Sequence, residues 1–258
     1  MKHLKSRDKL NEWDYCETST LTSVSEFIDT CRKCSEMGLI IGAPGTGKST
    51  AIDYAKMHFN GGYLGDECQF ILTVGSDASS EHARHFLEEL SECIESDMHG
   101  SAFAYQRLRA IKRFLHNHGG ESVIVVDEAQ KLGRGSLETL REIFDATGVG
   151  IVLIGNQKFK TNFQTQKLGQ YSHIASRITR RLPDIQSVSE ADFILFCSDY
   201  MGVTDKKALD ALRPYKDGAG GLRHVARIID QALDALDDPA KIDMQEVKDA
   251  VLVMGLDA

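Results

Sequence analysis

Residues 42–49 read Gly42-Ala43-Pro44-Gly45-Thr46-Gly47-Lys48-Ser49. This spacing is that of a phosphate-binding loop, which needs a buried strand before it and a helix after it. The apolar residues 38–41 and a helical pattern that starts at Thr50 supply both. The glycines let backbone N–H groups face a triphosphate, Lys48 would reach the β- and γ-phosphates, and Ser49 would ligate Mg²⁺. We therefore predict that residues 42–50 bind a nucleoside triphosphate.

A second apolar stretch, residues 123–126, ends in the paired carboxylates Asp127 and Glu128. Parallel α/β sheets bind ligands at the carboxyl ends of their strands, and adjacent strand residues point in opposite directions. We therefore predict that Asp127 joins Ser49 in a Mg²⁺ shell. Glu128 is then expected on the γ-phosphate side, where it would orient and polarise an attacking water.

Asn156 follows the next apolar strand pattern, residues 150–154. An amide at this strand end could hold the nucleophilic water or contact the γ-phosphate. The alternative is that Asn156 simply starts a turn after Gly155.

Bulk properties restrict the class of protein. The chain has 258 residues, 42% hydrophobic content and a net charge of −8, and its longest apolar runs are strand-sized, so no membrane contact is expected. The N-terminus lacks the apolar core of a signal peptide, and six cysteines suggest reduced thiols in a cytoplasm. Cys31 and Cys34 could form a zinc site only with Cys16 or Cys68, which we do not favour.

The chain alternates strand and helix patterns and then becomes wholly helical. Strands are expected at residues 38–41, 69–74, 122–126, 150–154 and 182–188, with helices at 79–94, 101–118 and 137–146 between them. Ser136 is expected to cap the last of these helices and Gly148 to end it. We predict an α/β fold in three parts: an N-terminal arm (1–24), a parallel-sheet nucleotide-binding domain (25–188) and an all-helical lid (189–258).

These motifs together resemble the AAA+ ATPases from residue 25 to residue 254. The resemblance implies ATP and Mg²⁺ as cofactors, with Lys48 and Ser49 in the Walker A motif, Asp127 and Glu128 in Walker B, and Asn156 as sensor 1. It also implies sensor 2 at Arg223, in Gly220-Gly221-Leu222-Arg223. An arginine finger that acts on the neighbouring subunit's ATP is expected at Arg177, with Arg180 and Arg181 as competitors. The alternative is that these three arginines contact only surface acids or DNA.

Within AAA+, the chain resembles the MuB- and TnsC-like transposition ATPases in the sequence and spacing of three segments, residues 36–48, 126–145 and 147–156. The resemblance implies a bacterial, phage or mobile-element protein that forms a ring or helical filament on double-stranded DNA and activates a transposase or integrase. MuB carries an additional N-terminal helix-turn-helix domain for which this chain has no matching segment. We therefore expect DNA binding without sequence preference.

Positive charge is concentrated in two acid-free segments, residues 98–120 and 157–181. On the helix predicted at 101–118, one flank of basic residues would suit phosphate contacts, although a solvated face is the alternative. The candidate DNA-binding residues are Arg107, Arg109, Lys112 and Arg113, with Lys131 and Arg134 as a second patch and the basic N-terminal arm as a third. The rival functions are an AAA+ regulator of a protein partner, as in secretion, a replication initiator or helicase loader, and a scaffold without turnover.

Overall fold

The computed structural model describes residues 15–60, 71–74, 83–93, 103–118, 122–164, 172–218, 220–234, 236 and 238–256. Within them, five parallel strands form one sheet in the order β2-β3-β4-β1-β5. The strands are β1 (Met37–Ile41), β2 (Ile71–Val74), β3 (Val123–Val126), β4 (Gly150–Gly155) and β5 (Ile178–Arg181). Every residue of β1, β3 and β4 is buried, as expected for central strands covered on both faces.

Among the described residues, seven helices connect or flank these strands. They are α1 (Ser19–Cys34), α2 (Lys48–Asn60), α3 (Ala83–Cys93), α4 (Ala104–His118), α5 (Arg134–Thr147), α6 (Gln157–Gln164) and α7 (Ser172–Ala175), with a short 3-10 turn at Ala129–Lys131. Apolar side chains of α3, α4 and α5, among them Phe86, Ile111 and Leu140, pack with the strands in one core. The predicted α/β fold is confirmed.

In the part of the chain after β5 that the structure describes, there are four further helices. They are α8 (Glu190–Ile194), which continues into a π-helical turn at Leu195–Tyr200, then α9 (Lys206–Lys216), α10 (Leu222–Leu233) and α11 (Met244–Val253). Ser189, Asp205 and Asp243 cap three of them with their side chains, and Asp243 forms a capping box with Glu246. Phe193, Val225 and Ile228 lie in a separate apolar core.

Two predicted boundaries were wrong. The fifth strand is Ile178–Arg181 and not residues 182–188, which form only a single bridge at Ile185. This strand pairs with β1 alone and its side chains alternate in burial, so it lacks the continuous apolar run that marks a central strand. Helix α5 begins at Arg134 after Gly133, and Ser136 is buried inside it, so Ser136 is not its cap. Gly148 ends the helix as expected, with φ 66° and its N–H bonded to Phe144.

The chain divides into two compact units. One, the sheet unit, comprises the described residues of Ser23–Gly42 and Ser49–Asp184; the other, the helical unit, comprises those of Ala43–Lys48 and Ile185–Ala258 together with residues 15–22. In the helical unit, the buried Asp192 accepts hydrogen bonds from the backbone N–H and the hydroxyl of Ser19, both at 2.6 Å, and so caps α1.

The described cysteines and helices bear on the predicted zinc site and on membrane contact. Cys31 is buried, which raises the pKa of its thiol to about 12, and Cys34 is exposed. The described residues contain no group of three metal-ligating side chains, and Cys68 and the basic arm before residue 15 lie outside them. None of the helices that the structure describes is both long and apolar enough to cross a membrane.

Candidate nucleotide-binding site

The phosphate-binding loop follows β1 with the backbone that its glycines allow. Gly45 and Gly47 have φ angles of 75° and 92°, which side chains rarely adopt. The Gly42 N–H donates to the Gly155 carbonyl at 3.0 Å, which joins the end of β1 to the end of β4. A Cβ on Gly45 would lie 1.8 Å from the Gly220 carbonyl oxygen, so this position accepts glycine alone.

Lys48 is held over the loop by the loop's own oxygens. Its ammonium donates to the Ala43 carbonyl at 2.5 Å and to the Thr46 hydroxyl at 3.3 Å. The Thr46 hydroxyl itself donates to the same carbonyl at 2.9 Å. The positive charge is thus placed at the mouth of the loop, where phosphate oxygens would be attracted.

Ser49 and Asp127 lie within hydrogen-bond distance of each other. The Ser49 hydroxyl donates to Asp127 Oδ2 at 2.8 Å, although 78 residues separate them. Asp127 Oδ1 accepts the Glu128 N–H at 2.8 Å, which fixes the carboxylate plane. A hydroxyl and a carboxylate oxygen at this separation are the hard ligands that Mg²⁺ takes beside a nucleotide, so these residues fit the predicted ion.

Glu128 lies at the end of β3 in a left-handed backbone conformation, φ 53°. Its side chain is 49% exposed, and Oε2 accepts a 2.5 Å hydrogen bond from Gln130 Nε2, with Lys131 Nζ at 3.9 Å. A non-glycine residue at positive φ is a strained arrangement that often marks a functional position. The carboxylate is accessible to a water molecule, as a general base requires.

Asn156 both starts a helix and keeps a donor available. Its Oδ1 accepts the backbone N–H groups of Lys158 and Phe159, at 3.0 and 3.3 Å, and so caps α6. Its Nδ2 makes no hydrogen bond to any described residue. The capping role and the sensor role are therefore compatible, because they use opposite ends of one amide.

The three candidate finger arginines differ in their contacts. Arg177, with 39% of its side chain exposed, donates to both oxygens of Asp145 at 3.0 and 3.1 Å, and these bonds hold the pKa of Asp145 below its usual range. Arg180 pairs with Glu36. Arg181 is exposed and forms no ion pair with any described residue. Surface acids thus account for two of the three, while the trans-acting role stays a prediction.

Arg223 lies in the first turn of α10, after two glycines that contact the phosphate loop. The Leu222 N–H donates to the Gly45 carbonyl at 3.0 Å, and Gly221 has φ 50°. Arg223 is exposed and has no ion-pair partner in the described part of the chain. Its predicted contact with the nucleotide remains a prediction.

The predicted DNA-binding flank is only partly available. Arg107 has a side chain 9% exposed and lies 3.6 Å from Glu88 of α3, so its assignment to DNA is corrected to a buried structural role. Lys112 pairs with Glu142 of α5, an acid that lies outside the acid-free segment 98–120. Arg109, Arg113 and Arg134 are exposed and unpaired among the described residues, and Lys131 faces Glu128.

Two features of interest were missed in the sequence. Gln130 accepts the Asn156 N–H at 3.3 Å on Oε1 while its Nε2 bonds Glu128; its place two residues after the carboxylate pair was the available signal. Phe103 and Tyr105 are 69% and 68% exposed, with ring centroids 6.1 Å apart. Phe103 lies just before α4 and Tyr105 in its first turn, both upstream of Arg109, so aromatic residues beside basic ones were the signal there.

Comparison with known proteins agrees with this geometry. The family model described as "AAA domain" matches residues 32–163. The Mu-like prophage FluMu DNA transposition protein B of Haemophilus influenzae is 26% identical over 86% of this chain and 74% of its own length. The ATP-dependent target DNA activator B of Escherichia phage Mu is 26% identical over 81% of this chain, which spans 63% of that protein.

Among solved structures, the ORC2 protein of Aeropyrum pernix has a TM-score of 0.69 and 14% identity, over 90% of this chain and 66% of that one. At this identity the likeness concerns the fold alone. The family model covers half of the chain, and the phosphate loop, the paired carboxylates and Asn156 follow β1, β3 and β4. The chain therefore belongs to the AAA domain family and is similar to the Mu-like transposition B proteins.

Proposed function

We propose that this protein is an ATPase that binds double-stranded DNA in an ATP-dependent manner, assembles on it and activates a transposase or integrase. The observation that carries the ATPase part is the 2.8 Å hydrogen bond between Ser49 and Asp127, beside Glu128 and within a phosphate-loop fold. The names of the two relatives, a DNA transposition protein and an ATP-dependent target DNA activator, support the DNA and transposition parts.

The reaction is hydrolysis of the γ-phosphate. A water oxygen forms a bond to the γ-phosphorus, the bond from that phosphorus to the β–γ bridging oxygen breaks, and ADP leaves with the electron pair. Glu128 takes the proton of the attacking water, and the Asn156 amide donates to the water or to a γ-phosphate oxygen. Lys48 neutralises the β- and γ-phosphates. Mg²⁺, when bound by Ser49 and Asp127, supplies charge neutralisation of the phosphate oxygens.

Assembly makes the ATPase dependent on neighbours. Arg177 of one copy is proposed to reach the triphosphate of the next, so that ATP stabilises the interface and hydrolysis loosens it. Arg223 is proposed to contact the nucleotide of its own chain. This arrangement also accounts for DNA binding by a chain of net charge −8, since a ring or filament lines up the same basic surface from each copy.

The DNA surface is proposed to be the exposed part of α4. Tyr105, Arg109 and Arg113 recur at intervals of four residues and so follow one line along the helix. Exposed guanidinium groups suit phosphate oxygens, while Phe103 and Tyr105 offer apolar rings to sugars or bases. Such contacts give affinity without sequence readout. Lys131 and Arg134 form a second, smaller candidate patch. We place the protein in the cytoplasm of a bacterium that carries the phage or mobile element.

The test combines turnover with imaging. ATP hydrolysis is measured with and without plasmid DNA, and the protein is imaged on duplex DNA with a non-hydrolysable ATP analogue. We expect stimulated turnover and rings or filaments. Protein that stays monomeric when saturated with ATP and plasmid would overturn the proposal. Turnover that responds to a protein partner but not to DNA would favour the secretion-type alternative, and recruitment of a helicase would favour the loader.

A further inference from the structure

Gln130 connects the two groups that act on the water. It lies in the 3-10 turn after β3 and is half-buried. Its Nε2 donates to Glu128 Oε2 at 2.5 Å, and its Oε1 accepts the backbone N–H of Asn156 at 3.3 Å. One side chain thus spans from the end of β3 to the end of β4.

The orientation of this amide is determined by its partners. A carboxylate only accepts hydrogen bonds and a backbone N–H only donates, so Nε2 must face Glu128 and Oε1 must face Asn156. Reversal of the amide would place two acceptors together on one side and two donors on the other. The network therefore has one arrangement, which fixes the rotamer of Glu128 relative to the strand that carries Asn156.

Resting on the proposed ATPase function, we propose that Gln130 is a positioning residue that holds the Glu128 carboxylate in register with Asn156 for activation of the attacking water. With Oε2 engaged by Gln130, Oε1 of Glu128 has no hydrogen-bond partner among the described residues and can accept the water. Gln130 acts through Glu128 and does not itself need to touch ATP. Its removal should lower kcat and leave ATP binding intact.

Two substitutions separate positioning from simple stability. Gln130→Leu removes both hydrogen bonds at similar volume. Gln130→Glu keeps the acceptor for Asn156 but, when ionised, replaces the donor with a second negative charge beside Glu128. Once that carboxyl is protonated it donates again. A merely structural glutamine would not confer a pH dependence of this kind.

The experiment measures kcat and KM for ATP between pH 6 and 8, with nucleotide affinity from a fluorescent ATP analogue and folding from circular dichroism. We expect Gln130→Leu to lower kcat by roughly 10- to 100-fold at every pH, less than the ~10²–10⁴-fold that a general base supplies, with KM unchanged. We expect Gln130→Glu to lose at least as much at pH 8 and to recover several-fold relative to wild type as the pH falls to 6.

The matched control is Gln245→Leu, which removes an amide–carboxylate hydrogen bond of 2.9 Å to Asp249 on α11 and should leave kcat unchanged. Wild-type kcat in both Gln130 variants, or an effect on KM alone, would overturn the positioning role. Should Gln130→Leu not fold, the pH profile of Gln130→Glu alone decides: a profile parallel to wild type refutes the role. A wild-type protein without ATP turnover would instead refute the proposed function.

Discussion

The carbonyl oxygen of Gly45, in the phosphate loop, accepts a hydrogen bond from the backbone N–H of Leu222, in the first turn of α10, at 3.0 Å. The two backbone segments approach so closely that neither Gly45 nor Gly221 has room for a side chain: a Cβ on Gly221 would lie 2.6 Å from the same Gly45 oxygen. The loop that would hold the triphosphate is therefore shaped in part by the start of the helix that carries Arg223.

Replacement of Gly45 by alanine should test this contact. Both Gly45 and Gly148 have positive φ, but a Cβ on Gly148 meets nothing within 4 Å, so Gly148→Ala carries the backbone strain without the clash. We expect Gly45→Ala to cost about 1–3 kcal/mol more in the free energy of unfolding than Gly148→Ala, the usual cost of overpacking. Urea denaturation followed by circular dichroism measures both. Equal losses would show that the loop and α10 separate easily.

Lys48→Ala should lower the affinity for ATP, and with it ATP-dependent DNA retention, without unfolding the chain. The ammonium is held at the loop by Ala43 and Thr46 and would donate to phosphate oxygens. Loss of a hydrogen bond to a charged group weakens binding by ~10- to 100-fold. Affinity for an ATP analogue and ATP-dependent DNA retention are the measurements. Lys56→Ala, an exposed lysine on the same helix, is the control. Normal DNA retention by Lys48→Ala would contradict the proposed coupling.

Glu128→Gln should bind ATP but turn it over ~10²–10⁴-fold more slowly, because the amide cannot take the proton from water. Assemblies on DNA should then persist, which a dissociation time course after dilution detects. Disassembly faster than that of the wild type would count against Glu128 as the water-polarising group.

The double replacement Arg109→Ala and Arg113→Ala should weaken DNA binding and leave ATP affinity unchanged. Each phosphate contact adds roughly 0.9 to the slope of log K against log salt, so two lost contacts reduce the slope by about 2. Lys112→Ala should change the slope less, because the ammonium of Lys112 already pairs with Glu142. A salt slope equal to that of the wild type would exclude this surface of α4.

Among the arginine variants, Arg177→Ala should restore ATP turnover when it is mixed with Lys48→Ala in one assembly. Each variant alone is expected to be inactive, but a mixture creates interfaces with an intact loop on one side and an intact arginine on the other. The pairing of Arg177 with Asp145 is exposed and contributes little to stability, so a phosphate can replace it. ATP turnover of the mixture is the readout. Complementation by Arg181→Ala and not by Arg177→Ala would reassign the finger.

The central strands and the phosphate chemistry could be predicted because their signals are local. β3 and β4 are buried on both faces and so appear as unbroken apolar runs, and Ser49 and Asp127 each sit within a motif. β5 could not be placed because it pairs with β1 alone and carries Arg180 and Arg181 within it. Its apolar content resembles that of a loop.

Ion pairs between residues distant in sequence determine which of the candidate DNA-binding and arginine-finger side chains are unpaired, and the sequence alone does not reveal these pairs. A segment without local acid is cationic in sequence, yet Lys112 pairs with Glu142 thirty residues later, and Arg180 pairs with Glu36 at a separation of 144 residues. Arg107 is buried in the same way, against Glu88. Gln130 was missed for a related reason: its place two residues after the carboxylate pair is a local signal, but its contact with Asn156 depends on the adjacency of β3 and β4.

The carboxylate of Asp192 has a practical consequence for dissecting this chain. It accepts the N–H and the hydroxyl of Ser19, in the first turn of α1, from a helix that lies 173 residues later, and it adds to the local cap from Thr18, whose hydroxyl accepts the Leu21 N–H at 3.2 Å. A fragment cut after residue 184 would keep Thr18 but leave Ser19 without its acceptor, so recombinant fragments intended to isolate the sheet should be expressed together with the C-terminal segment.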